Sequence, residues 1–110
     1  MTDKIIVLVT CASRGEARRI ARAVVESRLA ACVNVMGSPV ESIYHWNGKV
    51  ETAREFLMLI KTSRKRFAGL ESEVRRMHSY AVPEIVAVPV EQGSRPYLAW
   101  IEQSVRRAKA

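Results

Sequence analysis

The chain has 110 residues, 48% of them hydrophobic, and its 18 Lys and Arg against 11 Asp and Glu give a net charge of +7. A chain of this size buries more than about 60% of its unfolded surface, so a single domain over residues 1–110 is expected, and no linker, repeat or low-complexity tract divides it. The opening MTDKIIVLVT has no long apolar stretch behind a basic start, so neither a signal peptide nor a membrane span is expected.

Two cysteines without a secretory signal read as free thiols, which makes the cytoplasm the expected compartment. The positive charge raises nucleic acid or anionic surfaces as partners, and its distribution decides between them.

Lys4 to Thr10 is a short β-branched run suited to a buried central strand. Ser13 to Glu16 has the spacing of a capping box, and Ala17, Ile20, Ala21, Val24 and Val25 follow at helical spacing to about Leu29. The opposite face, with Arg18, Arg19, Arg22 and Glu26, reads as solvated. Ala31 to Met36 is extended, and Gly37-Ser38-Pro39 bends or bulges the chain before the next strand.

Val40 to Thr62 then reads as a β-hairpin closed by Asn47-Gly48, because a type I′ turn needs positive φ at both central residues. Its second arm keeps an extended character over about 13 residues, or about 43 Å, whereas a 15-residue helix covers only about 22 Å. The hairpin must overhang its cover. The overhang carries Ile43, Tyr44, Trp46 and Val50, which predicts a partner subunit.

Ser63 is placed to cap a second helix with an apolar stripe of Phe67, Leu70, Val74 and Met77. Ile85 to Val90 is a short strand in which Pro89 marks an edge. Gly93 to Pro96 opens a last helix bearing Tyr97, Leu98, Trp100, Ile101 and Val105, with a basic tail at Arg106, Arg107 and Lys109.

The order β-α-β-β-α-β-α is the split pattern of a ferredoxin-like α+β fold with an extra C-terminal helix and a long hairpin. One sheet face takes two helices and the other is bare in a monomer. Following strand directions puts Cys11, His78, Glu84 and the hairpin tip at one end, and Cys32 at the other, which excludes a Cys11 to Cys32 disulfide.

Cys11 precedes a helix N-terminus, where the macrodipole favours a thiolate, and with His78 it forms a candidate pair for a soft cation such as Cu(I). A buried apolar role for Cys11 and a helix-end role for His78 account for the same residues. Met77 offers a thioether but sits on the apolar stripe, so the sequence names no third ligand. It offers no orienting residue for nucleophilic catalysis either. Glu51 and Glu55 share a strand face with Lys61, and at about 13 Å apart they suit charge pairing rather than joint acid/base work.

As a set, Leu29 to Asn34, Ser42 to Glu51, Ile60 to Thr62, His78 to Ile85 and Tyr97 to Trp100 resemble the CutA family, named for tolerance of divalent cations. The resemblance implies a non-enzymatic homotrimer similar in architecture to PII signalling proteins. It also implies copper or another divalent metal ion at Cys11 and His78, with no obligatory cofactor. A small ligand or subunit cleft is expected around Tyr44, Trp46, Glu51, Glu55, Lys61, Tyr80, Glu84, Tyr97 and Trp100.

The family's usual His-Pro-Tyr-Glu-Val-Pro-Glu appears here as His78-Ser79-Tyr80-Ala81-Val82-Pro83-Glu84, and Met77 stands where some members carry a second histidine. A structural or adaptor trimer is one alternative function. An RNA-binding module is another, opposed by having only Phe56 as an aromatic in the central strands and by basic residues scattered over helix surfaces.

Overall fold

The computed structural model describes residues 1–106, so Arg107 and Lys109 of the basic tail lie outside it. The elements are β1 (Lys4–Cys11), α1 (Arg14–Glu26), β2 (Cys32–Val35), β3 (Val40–Trp46), β4 (Lys49–Ser63), α2 (Phe67–Met77), β5 (Ile85–Pro89) and α3 (Arg95–Ser104). The strands form one antiparallel sheet in the order β2-β4-β1-β5, with β3 also paired to β4. This is an α+β fold with three helices, and β5 with its Pro89 is an edge, where the missing N–H is tolerated.

β4 is the spine. Its lower part, Phe56 to Ser63, pairs with β1, while Lys49 to Glu55 pairs only with β3. Asn47 (φ 51°) and Gly48 (φ 75°) close the hairpin in the left-handed region, as a type I′ turn requires. The hairpin overhangs the domain, whose longest dimension is 46 Å. Ile43 and Val50 are 66% and 67% exposed there.

Alternation along the strands sorts the two faces. Ile5, Val7, Val9 and Cys11 of β1 and Met58 and Ile60 of β4 lie beneath Ile20 and Val24 of α1 and Leu70 and Val74 of α2, all buried. Phe56 packs against this core beneath the Arg14 guanidinium, so the open face lacks the one aromatic expected there. That face presents Ile6, Leu8, Leu57 and Leu59, half-buried, and Val86 and Val88, exposed. Among the described residues α3 covers one end of this face, where Ile101 and Val105 pack on Ala31 and Cys32. The Lys4 ammonium reaches Glu102 of α3 at 2.8 Å.

Three local expectations are corrected. α1 ends at Glu26 rather than about Leu29, because Arg28 turns left-handed (φ 62°). The N–H groups of Arg28 and Leu29 return to the carbonyls of Val25 and Val24, a Schellman closure. Ser63 makes no capping bond; its hydroxyl is buried without a partner, and the 3₁₀ turn Arg64–Arg66 leads into α2. At α1 the Ser13 hydroxyl accepts the Glu16 N–H at 3.1 Å, while the Glu16 carboxylate turns to another donor, so the box is half made.

A buried thiol, imidazole and carboxylate beside an acidic aromatic cleft

β1 delivers Cys11, the start of α1 delivers Glu16, and the C-cap of α2 delivers His78 to one end of the sheet. All three are buried, and one donor atom from each lies within 4.8 Å of the others. The His78 Nε2 is 2.8 Å from the Thr10 carbonyl oxygen, which only accepts, so Nε2 carries the proton. Nδ1 then accepts the Tyr80 N–H at 3.1 Å. The Cys11 Sγ lies 3.7 Å from Nε2 and 3.6 Å from the Met58 Sδ.

The expected thiolate is not what this site favours. Burial above all, then the carboxylates of Glu16 and Glu55, pushes the Cys11 thiol up to about 12 from its ordinary 9.0. Cys11 is wholly buried, and two negative neighbours outweigh a helix dipole that acts only over the first turn.

Glu16 is the donor that sequence reasoning missed, because its spacing from Ser13 explained it as a cap. Its Oε2 accepts the Ser79 N–H at 2.8 Å, and its Oε1 is buried with no partner. Burial pushes this carboxyl up, but the hydrogen bond from Ser79, helped by the nearby His78 ring and Ala12 amide dipoles, prevails and holds it below 4.5. Met77 packs against the core, and the sulfur beside the thiol belongs to Met58.

Next to the cluster, a cleft of about 620 Å³ opens between the hairpin and the segment after α2. Thr10, Tyr44, Trp46, Glu55, Tyr80 and Glu84 line it. The Tyr80 hydroxyl donates to the Glu55 Oε2 at 2.8 Å, so within the subunit Glu55 pairs with a phenol.

The other residues expected around a cleft lie elsewhere. Glu51 stands opposite Tyr44 on the hairpin, exposed and outside the lining. Lys61 pairs with Cys32 at the far end of the sheet, where burial, together with Cys32, raises the Tyr97 hydroxyl. Tyr97 and Trp100 stack with centroids 5.4 Å apart on α3. Because α3 packs at the Cys32 end, Lys61, Tyr97 and Trp100 stand apart from this cleft within one subunit. Cys11 and Cys32 are free thiols, as their separation along the sheet requires.

Fold and site define a small α+β protein with a buried three-donor cluster and an acidic aromatic cleft at one end of an antiparallel sheet. Residues 5–104 match the family model described as CutA1 divalent ion tolerance protein, and the chain belongs to that family.

It is 44% identical over 99 residues to the divalent-cation tolerance protein CutA of Archaeoglobus fulgidus, covering 90% of this chain and 95% of that one. To protein CutA of Mus musculus it is 52% identical over 95 residues, 86% of this chain but 53% of the mouse protein, so it spans about half of that relative. The solved structure of divalent cation tolerance protein (Cut A1) from Thermus thermophilus superposes with a TM-score of 0.91 at 45% identity, covering 94% of this chain and 99% of that one. No helix among the described residues is long and apolar enough to cross a membrane.

Proposed function

We propose that the chain is the ferredoxin-like subunit of a PII-like homotrimer that takes up copper or another divalent metal ion at Cys11, Glu16 and His78, without enzymatic activity. The observation that carries the metal reading is the buried, unpartnered Glu16 Oε1 beside a thiol and an imidazole. A buried carboxylate oxygen without a donor is costly, and a cation satisfies it. Sulfur, nitrogen and oxygen donors suit a copper ion in kind, and relatives bear divalent-cation tolerance in their names.

Loading requires the Cys11 proton to leave and His78 to release one of its two ring hydrogen bonds. The trimer reading is supported by the open apolar face and by the hairpin overhang, both of which want cover. The absence of a catalytic role is supported by His78, whose Nε2 proton is spent on Thr10 and whose Nδ1 lone pair is spent on Tyr80. Two free thiols suit the cytoplasm, although the solved Archaeoglobus structure is of a protein called periplasmic.

The test is titration with copper or zinc against a competing chelator, with subunit number followed by native mass spectrometry. Cys11→Ser, Glu16→Gln and His78→Ala are expected to weaken affinity by at least about tenfold while remaining trimers. Unchanged affinity in trimeric Cys11→Ser and His78→Ala places the metal elsewhere. One observation favours a second reading, a purely structural trimer: a thiol held up to about 12 and a doubly bonded imidazole also suit a static polar lock between α1, β1 and α2.

A further inference from the structure

We infer that Met58 is a further donor of the buried cluster and that its thioether gives the site a preference for Cu(I) over zinc. The inference rests on the metal reading above and adds to it the residue that decides between ions.

Met58 and Cys11 reach one point from neighbouring strands. Met58 of β4 stands opposite Val9 and Cys11 of β1 opposite Phe56, and both side chains lie in the core beneath α1 and α2. The Cys11 Sγ is 3.6 Å from the Met58 Sδ and 3.7 Å from the His78 Nε2. Because Nε2 carries the proton held by the Thr10 carbonyl, the thiol cannot donate to the ring, and its hydrogen turns to Met58. That hydrogen stands between two sulfurs, where a cation displacing it would stand as well.

The donors are already spaced as ligands of one ion. Two sulfurs about 2.3 Å from a tetrahedral ion stand about 3.8 Å apart, and a sulfur and an imidazole nitrogen about 3.6 Å. The observed separations, 3.6 Å and 3.7 Å, come within about 0.2 Å of these.

Two overlapping donor sets result. Cys11, His78 and Glu16 supply the thiolate, imidazole and carboxylate that zinc takes, with no use for a thioether. Cys11, Met58 and His78 supply two sulfurs and a nitrogen, the soft set that selects Cu(I). All four side chains come from one chain and each is at most 8% exposed, so both sets are assembled inside a single subunit. A methionine that only filled the core would be replaceable by leucine without effect on either ion.

The test uses the full-length protein, titrated anaerobically with Cu(I) against bathocuproine disulfonate and separately with Zn(II) against a zinc chelator. Met58→Leu nearly conserves volume and is expected to keep the fold, checked by circular dichroism. It is expected to weaken Cu(I) binding by at least about tenfold and to change Zn(II) binding by less than about twofold. A second readout needs no variant: protein with selenomethionine at its four methionines is loaded with Cu(I), and X-ray absorption at the selenium edge is expected to show copper beside selenium.

Unchanged Cu(I) affinity in Met58→Leu, an equal loss for both ions, or selenium without a copper neighbour overturns the inference. If Cys11→Ser still weakens Cu(I) in the same titration, the metal reading stands without Met58. If Cys11→Ser leaves both ions unchanged, both fall.

Discussion

The Glu16 Oε2 accepts the backbone N–H of Ser79 at 2.8 Å, so the first turn of α1 is tied to the segment leaving α2 beside the Cys11 thiol. The family's usual proline at this position has no N–H to give. His78, the residue before it, is already extended with ψ 141°, a conformation that a following proline accepts. Ser79→Pro therefore removes one donor with little other disturbance. It is expected to lower stability by about 1–2 kcal/mol at pH 7, measured by urea unfolding. An unchanged midpoint sinks the assignment.

The same bond carries a pH dependence. The Glu16 carboxyl is held below 4.5 in the fold, so its contribution is present above that value and fades as pH falls below it. Unfolding curves collected from pH 7 to about pH 3 are expected to fall less steeply in Ser79→Pro and Glu16→Gln than in the parent. Parallel curves contradict this.

Tyr80 and Glu55 make a second linked pair. Burial first, then the hydrogen bond and charge of Glu55, raises the Tyr80 hydroxyl above its ordinary 10.0. A raised value means stability that is present below pH 10 and lost above it. Tyr80→Phe strands a buried carboxylate oxygen at a cost of about 1–3 kcal/mol at neutral pH, and it is expected to flatten the alkaline loss seen in the parent. Matching alkaline profiles in parent and variant argue against the pairing.

Thiol labelling separates the two cysteines. Cys11 is wholly buried with its thiol pushed up to about 12, whereas Cys32 is half-buried on β2. In native protein at pH 8, disulfide reagents are expected to titrate Cys32 and to reach Cys11 only on unfolding. A Cys32→Ser variant that still reacts at the rate of a free thiol rules this out.

The hairpin is the element on which assembly is expected to depend. Replacing 42–53 with a tight turn removes Ile43, Tyr44, Trp46 and Val50 and is expected to give monomers or aggregate by analytical ultracentrifugation. A stable trimer from that chain refutes the role.

Much of this was legible in order and spacing. Asn47-Gly48 and the long second arm announced the hairpin, and strand direction alone brought Cys11 and His78 to one end. What stayed hidden depended on side-chain competition. Glu16 stood at a capping position, yet its carboxylate found Ser79 instead. The ionisation of Cys11 turned on burial rather than on its place before a helix. Tyr97 and Trp100 could not be assigned an end until α3 was seen packed against Ala31 and Cys32, because no strand register governs a terminal helix.

The pairing of β1 with β4 rather than β2 also sets a timetable for synthesis. Lys4 stands opposite Ser63, so the first strand made must wait about fifty residues for its first partner. During translation α1 can coil behind it, but β1 stays an open, β-branched edge until the spine emerges. At about 5–20 residues per second, that wait lasts several seconds. The stretch KIIVLVT is therefore the segment of the nascent chain in greatest need of shelter.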